Sequence, residues 1–141
     1  MYEVISANSI DFIWPMVSPW LAQAVGITEG TWRDLESIKD NCKKGGARLI
    51  VQKDKDDTIR GVLITESWLQ DGKNVLVFRW LCGKCLQDWL DDADVFENLA
   101  FTHGFHAIQI WGRPGWMKKT KPLGYIHEFT VISKPLIRGL H

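Results

Sequence analysis

The chain has 141 residues, with 17 Lys and Arg against 17 Asp and Glu, so its formal charge is zero. That balance gives no electrostatic footprint of nucleic-acid or anionic-membrane binding. The length suits one domain that buries roughly two thirds of its unfolded surface. Eight Trp weight the chain toward cores and protein interfaces, and neutrality favours life inside an assembly. Three Cys form no framework and point to free thiols in a reducing compartment.

Tyr2 to Ser6 alternates as a short strand. The segment IDFIWPMVSPWLAQA ends in small-x-small like a signal cleavage site, but Glu3, Asp11, Pro15, Pro19 and the missing basic start argue against one. Phe12, Ile13, Met16, Val17, Trp20, Leu21 and Ala24 instead recur at helical spacing, up to Gly26. The prolines are expected to kink or divide this helix, with Ser18 capping the second piece. A second helix is expected from Thr28 or Gly30, with Trp32, Leu35, Ile38 and Cys42 on one face and Gly45 closing it. No apolar run approaches membrane-spanning length.

Three strands follow near 47–53, 59–68 and 74–81, joined by DKDD and the Asp71-Gly72 turn, and should pair antiparallel in order. Leu86, Trp89, Leu90, Ala93, Phe96, Leu99 and Ala100 predict one long amphipathic helix ending at His103-Gly104. A buried strand at 105–111, a short helix opened by Pro114 and a last strand at 125–133 complete the order β-α-α-β-β-β-α-β-α-β. That is α/β or α+β, a mixed sheet with helices on both faces. One domain is expected over 1–136, with a loose tail at 137–141.

The stretch RWLCGKCLQDWL, Arg79 to Leu90, carries the densest chemistry. Cys82-Gly83-Lys84-Cys85 between a strand and a helix start reads as a redox dithiol, because a helix N-terminus lowers a thiol's pKa. Its position after an antiparallel meander is wrong for a thioredoxin-like site. Zinc would need a second ligand pair, and Cys42, His103, His106, His127 and His141 supply none at suitable spacing, so no metal is expected.

The element order, with WGRPGWMKKTKPLGY at Trp111 to Tyr125 and its Gly124-Tyr125 pair, resembles the GNAT (Gcn5-related N-acetyltransferase) family over nearly the whole chain. More narrowly, RPGW and GYIHEFTVISKPL resemble the small GNAT-like proteins encoded by tailed bacteriophages and prophages. The resemblance implies acetyl-CoA bound where the fourth and fifth strands splay, its diphosphate on backbone amides at the next helix start. The segment at that place is Arg79-Trp80-Leu81-Cys82-Gly83-Lys84-Cys85, so Arg79, Gly83, Lys84 and Cys85 are the cofactor-binding candidates. Cys82 and Lys84 occupy the two positions the family keeps small.

Asp88, Asp91, Asp92 and Asp94 crowd the helix start and are expected to satisfy its dipole in place of a diphosphate. Arg113, Lys118, Lys119 and Lys121 are the remaining phosphate-reaching cations. The family's proton-donating Tyr corresponds to Thr120, a much poorer general acid; Tyr125 is the nearest phenol. Glu66, His127 and Glu128 are the base candidates, and Cys82 a conceivable acyl-carrying nucleophile weakened by nearby aspartates.

The resemblance therefore implies either a virion-associated structural or binding protein with a degenerate cofactor site, or an active acetyl-CoA-dependent N-acetyltransferase. A dithiol oxidoreductase stands third. The first reading needs no cofactor, takes other virion proteins or further copies of the chain as partners, and excludes nucleic acid and membranes. It places the chain in the host cytoplasm during synthesis and then in the virion, with Trp80 and Trp111 filling the cleft.

Overall fold

The computed structural model describes residues 1–26, 34–84, 86–112, 115–134 and 136. Five strands, β1 (Tyr2–Ile5), β2 (Ala47–Lys53), β3 (Ile59–Gln70), β4 (Lys73–Gly83) and β5 (Ala107–Ile110), form one sheet in that order. The first four are antiparallel neighbours and β5 runs parallel to β4. Both central residues of the β3–β4 turn, Asp71 at φ 50° and Gly72 at φ 78°, are left-handed, the geometry that matches the twist of paired strands. In the β2–β3 connection the Asp54 carboxylate accepts the amides of Asp56 and Thr58 at 2.9 and 3.1 Å.

Helix α1 (Ile10–Gly26) follows a short 3-10 turn at Ala7–Ser9 and is a single helix through both prolines. Pro15 and Pro19 lie one turn apart and are both exposed, so the backbone bonds they forgo fall on the solvated side, where water can replace them. This is why the expected division at Ser18 does not occur. Helix α2 (Leu35–Lys44) starts on Asp34, whose carboxylate accepts the Ser37 amide at 2.8 Å, and stops at Gly45 with φ 85°. The expected earlier start at Thr28 or Gly30, and Trp32, lie outside the described residues. Asp11 joins the two helices through Lys39 and Lys43 at 3.2 and 3.0 Å, and these ammonium groups hold its carboxyl below the ordinary value.

On one face of the sheet, Val17, Leu21, Ile38 and Cys42 of these helices pack over Leu49, Val51, Val62 and Ile64. The other face carries α3 (Leu86–Asp91) and α4 (Ala93–Thr102). There Trp89 and Phe96 stack at 5.4 Å, Tyr2 meets both at 4.7 and 4.9 Å, and Phe78 meets Phe96 edge-on. The expected long helix is thus two pieces. Asp92, at φ −97° and ψ 15°, breaks it, and the Tyr2 hydroxyl donates to its carboxylate at 2.6 Å, drawing the break onto β1. Among the described residues no helix is long and apolar enough to cross a membrane.

Helix α5 (Gly115–Thr120) and a 3-10 turn at Lys121–Leu123 follow β5; Pro114, expected at the helix start, lies outside the described residues. Among the described residues, the strand expected over 125–133 joins no ladder. Its first amide, of Tyr125, donates back to the Thr120 carbonyl at 3.4 Å, and Gln109 Nε2 of β5 donates to Glu128 Oε2 of the segment at 3.2 Å. The tail expected at 137–141 lies outside the described residues.

Gly83 has φ +119°, and a Cβ there would come within 2.5 Å of the Arg60 carbonyl oxygen and 2.6 Å of Gly61 Cα. Gly83→Ala is therefore expected to destabilise the fold by about 1–3 kcal/mol in urea titration. Leu49→Ala, an ordinary core truncation at a fully buried site, should lose about 2–5 kcal/mol and calibrates the measurement.

Candidate functional site

The end of the sheet where β4 outlasts β5 holds the candidate site. β5 pairs with β4 only from Val75↔Ala107 to Phe78↔Ile110, and the Trp111 amide makes a last bond to the Phe78 carbonyl at 3.1 Å. Opposite Ile64 and Thr65 the β3–β4 register shifts, leaving Arg79 as the extra residue of a bulge. From Arg79 to Gly83 β4 continues against β3 alone among the described residues, which opens the sheet on the β5 side.

At the head of this opening lies a polar and aromatic network. Arg79 Nε stands 3.3 Å from Glu66 Oε2, with both side chains largely buried at 11% and 16% exposure. The guanidinium lies 4.9 Å from the ring centre of Trp111 and 5.6 Å from that of Trp80. The second Glu66 oxygen accepts the Trp68 indole N–H at 2.8 Å, and Trp68 packs on Trp111 at 5.4 Å. Trp111 donates to Gln109 Oε1 at 2.8 Å, and Gln70 and Gln109 exchange a reciprocal amide pair at 3.0 and 2.8 Å. Glu66, a base candidate, thus has both oxygens already engaged.

The helix-start end of the opening is built differently. Gly83 pairs with Gly61 in the ladder, and the Lys84 amide donates to the Arg60 carbonyl at 2.9 Å. The strand hydrogen bonding therefore runs on as far as Lys84, into the segment expected to present free amides. Arg79 does not join Gly83 and Lys84: four residues, about 13 Å of strand, separate them, and its head group is held at Glu66 and Trp111. Cys85 lies outside the described residues. Cys82 pairs with Val62 and packs against the core, and burial pushes its thiol up to about 12. Cys42, on the buried face of α2, is pushed up to about 11 by burial and then by Glu66.

Of the four aspartates expected at the helix start, Asp88 and Asp94 lie in the first turns of α3 and α4, and three have side-chain partners elsewhere. Asp88 accepts from Gln52 Nε2 at 3.2 Å, Asp92 from Tyr2, and Asp91 from Gln87 at 2.9 Å. No carboxylate caps α4 at Asp92, and α3 spans only six residues. Asp92 and Asp88 thereby dock the helices on β1 and β2, while the Asp91 bond is internal to α3.

Thr120 is buried, and its hydroxyl donates to the Trp116 carbonyl at 2.6 Å, a bond internal to α5. The Tyr125 phenol is half-buried and pushed up to about 12, by burial first and then by Glu97 of α4. His127 lies 3.2 Å from the Thr130 hydroxyl, while Glu128 bonds Gln109; both are exposed beyond the sheet edge. His103 has a ring nitrogen 2.7 Å from the Leu99 carbonyl, a helix-end role that explains it without a metal.

Of the basic run, Lys118 and Lys119 line a shallow cleft of about 290 Å³ between α3 and α5, facing Gln87, Leu90, Asp91 and Leu123. Lys121 is not part of its lining, and Arg113 lies outside the described residues. Sequence reasoning missed Trp68, Gln70 and Gln109. Their signal is the run Glu66, Trp68, Gln70, polar and aromatic at every second position toward a strand end.

No protein-family model matches the sequence, and no curated protein matches it. Solved structures do. A possible acetyltransferase from Clostridium difficile 630 superposes with a TM-score of 0.70 at 10% identity, over 98% of each chain. A probable acetyltransferase gives 0.69 at 10% identity, over 97% of this chain and 98% of that one. An aminoglycoside acetyltransferase from an uncultured soil metagenomic sample, in complex with sisomicin, gives 0.65 at 11% identity over 97% and 95%. At these identities the likeness is one of fold: the chain has the mixed α+β architecture of the GNAT-type acetyltransferases.

Proposed function

We propose that this chain is a binding or structural component that keeps the acetyltransferase fold without acetyl-CoA chemistry. Following the likeness of Trp111 to Tyr125 and of the terminal segment to phage proteins, we place it in a virion. The observation that carries the reading is the Lys84 amide bonded to the Arg60 carbonyl, beside a Gly83 whose Cα is packed on Gly61. A diphosphate at that place needs unsatisfied amides and close backbone approach. Here one amide is spent on β3, and the glycine serves a strand contact. The described residues at that place do not fit the cofactor's diphosphate.

The second reading, an N-acetyltransferase with a displaced cofactor, is favoured by the cleft carrying Lys118 and Lys119. Its weakness is chemical. Thr120 is a poor acid with its proton already committed, Tyr125 is a weaker acid than a free phenol, and Glu66 has no free oxygen. For the dithiol reading, a thiol at about 12 is almost entirely protonated at neutral pH, so Cys82 is a poor attacking group.

Calorimetric titration with acetyl-CoA at moderate salt is expected to show no binding tighter than about 1 mM. Micromolar binding that is lost when Lys118 and Lys119 are both changed to Glu would establish the enzyme reading instead. Substituting Gly83 would not discriminate, because it disturbs the β3–β4 pairing. Peptide mass spectrometry of purified particles should find the chain; its absence would refute the virion role. In a Cys85→Ser protein, labelling of the remaining thiols at pH 8 should be at least ~100-fold slower in the native state than in urea. Equal rates would show that Cys82 is open to reaction.

A further inference from the structure

Two buried polar atoms on the α3 side of the sheet converge on one place. Gln52 of β2 is 8% exposed and Trp89 of α3 is 5% exposed. Gln52 Oε1 and Trp89 Nε1 are both shut off from solvent, and among the described residues neither has a hydrogen-bond partner. Folded proteins leave few such atoms, because each forfeits its hydration without recompense. Gln52 lies directly opposite Gly61 in the β2–β3 ladder, so its side chain leaves the sheet beside the glycine on the same face. A Cβ on Gly61 would stand 3.2 Å from Trp89 Nε1 and 3.2 Å from the Cys82 carbonyl oxygen. An indole N–H, an amide oxygen and a β4 carbonyl therefore gather around the place where Gly61 carries no side chain.

Neither side chain is at liberty to reach the other. A carboxylate only accepts, so the 3.2 Å bond to Asp88 turns Gln52 Nε2 toward that group and Oε1 away from it. The Trp89 ring is fixed by its stack on Phe96 at 5.4 Å and by Tyr2 at 4.7 Å. A ligand that satisfies this set must accept from the indole and donate to both oxygens. A metal cation cannot accept from an N–H, and a simple anion has no proton for the oxygens. Water does both at the smallest size.

We infer that one internal water molecule is bound here, accepting from Trp89 Nε1 and donating to Gln52 Oε1 and the Cys82 carbonyl. Three bonds are the usual complement of a buried water. Held so, it joins α3 to β2 and β4 at a single point, beside the Gly61–Gly83 pair where β4 gives way to the helix. Glycine at 61 then serves two needs, close approach to the Cys82 carbonyl and space for this water.

The inference is independent of whether acetyl-CoA binds. In the isotope-labelled full chain, with the Trp89 indole resonance assigned by Trp89→Phe, that N–H is expected to show a water cross-peak of opposite sign in NOE and ROE spectra. This is the mark of a water that stays longer than the nanosecond motions of surface solvent. The cross-peak should be lost in Gln52→Leu and kept in Tyr2→Phe. Persistence in Gln52→Leu would overturn the bridge, and loss in Tyr2→Phe would show a signal relayed by the phenol instead. Crystallographic density of the unsubstituted chain tests the same site without a variant: an oxygen about 2.7–3.2 Å from all three atoms is expected. A direct bond from Trp89 Nε1 to Gln52 Oε1, or no oxygen between them, would refute the inference.

Discussion

The unequal partnership of β4 organises the molecule. On one side it pairs with β3 from Lys73 to Gly83, with a single bulge at Arg79 and a final bond from the Lys84 amide to Arg60. On the other it is paired for four residues and then open. A strand held on one edge and free on the other creates a groove without leaving the core, since Val62, Ile64 and their neighbours beneath it remain fully buried. The same pairing limits what the groove can do, because hydrogen bonds that extend the strand cannot also point at a ligand. Glycine at position 83 is required by this closeness of two backbones, a need as strict as any phosphate would impose.

At the wider end, charge and aromatic surface replace hydrogen-bonded backbone. The Arg79–Glu66 pair is largely out of water, a situation whose desolvation cost is recovered only when the remaining polar positions are also satisfied. Trp68 supplies the partner for the second Glu66 oxygen, Trp111 and Trp80 lie against the guanidinium, and the two glutamines complete the set. The groups stabilise one another and leave little unspent for a substrate. Trp80 and Trp111 were expected to fill the cleft with bulk; their role around Arg79 is at least as much electrostatic.

Much of the architecture was legible because its signals are local. β2 occupies 47–53 as alternation predicts, the Asp71-Gly72 turn forms where its residues demand it, and Ile38 and Cys42 face the core at helical spacing. What was not legible depends on contacts distant in sequence. The break at Asp92 is tied down by Tyr2, ninety positions away, and α1 runs on through two prolines that both face water. At the site, the sequence groups Arg79, Gly83 and Lys84 by spacing but does not show their separation. A bulge and a ladder, neither written in residue type, send the arginine toward Trp111 and the lysine amide toward β3.

The turn at Asp71 and Gly72 also bears on how the sheet comes together. It brings β3 and β4, the two longest strands, into register with a loop of two residues, so their association carries little closure entropy. β1 must instead find β2 across both helices, and β5 must find β4 across α3 and α4. Loops of that length make contact late. Assembly is therefore expected to spread outward from this hairpin, with φ-values higher along β3 and β4 than along β1 or β5.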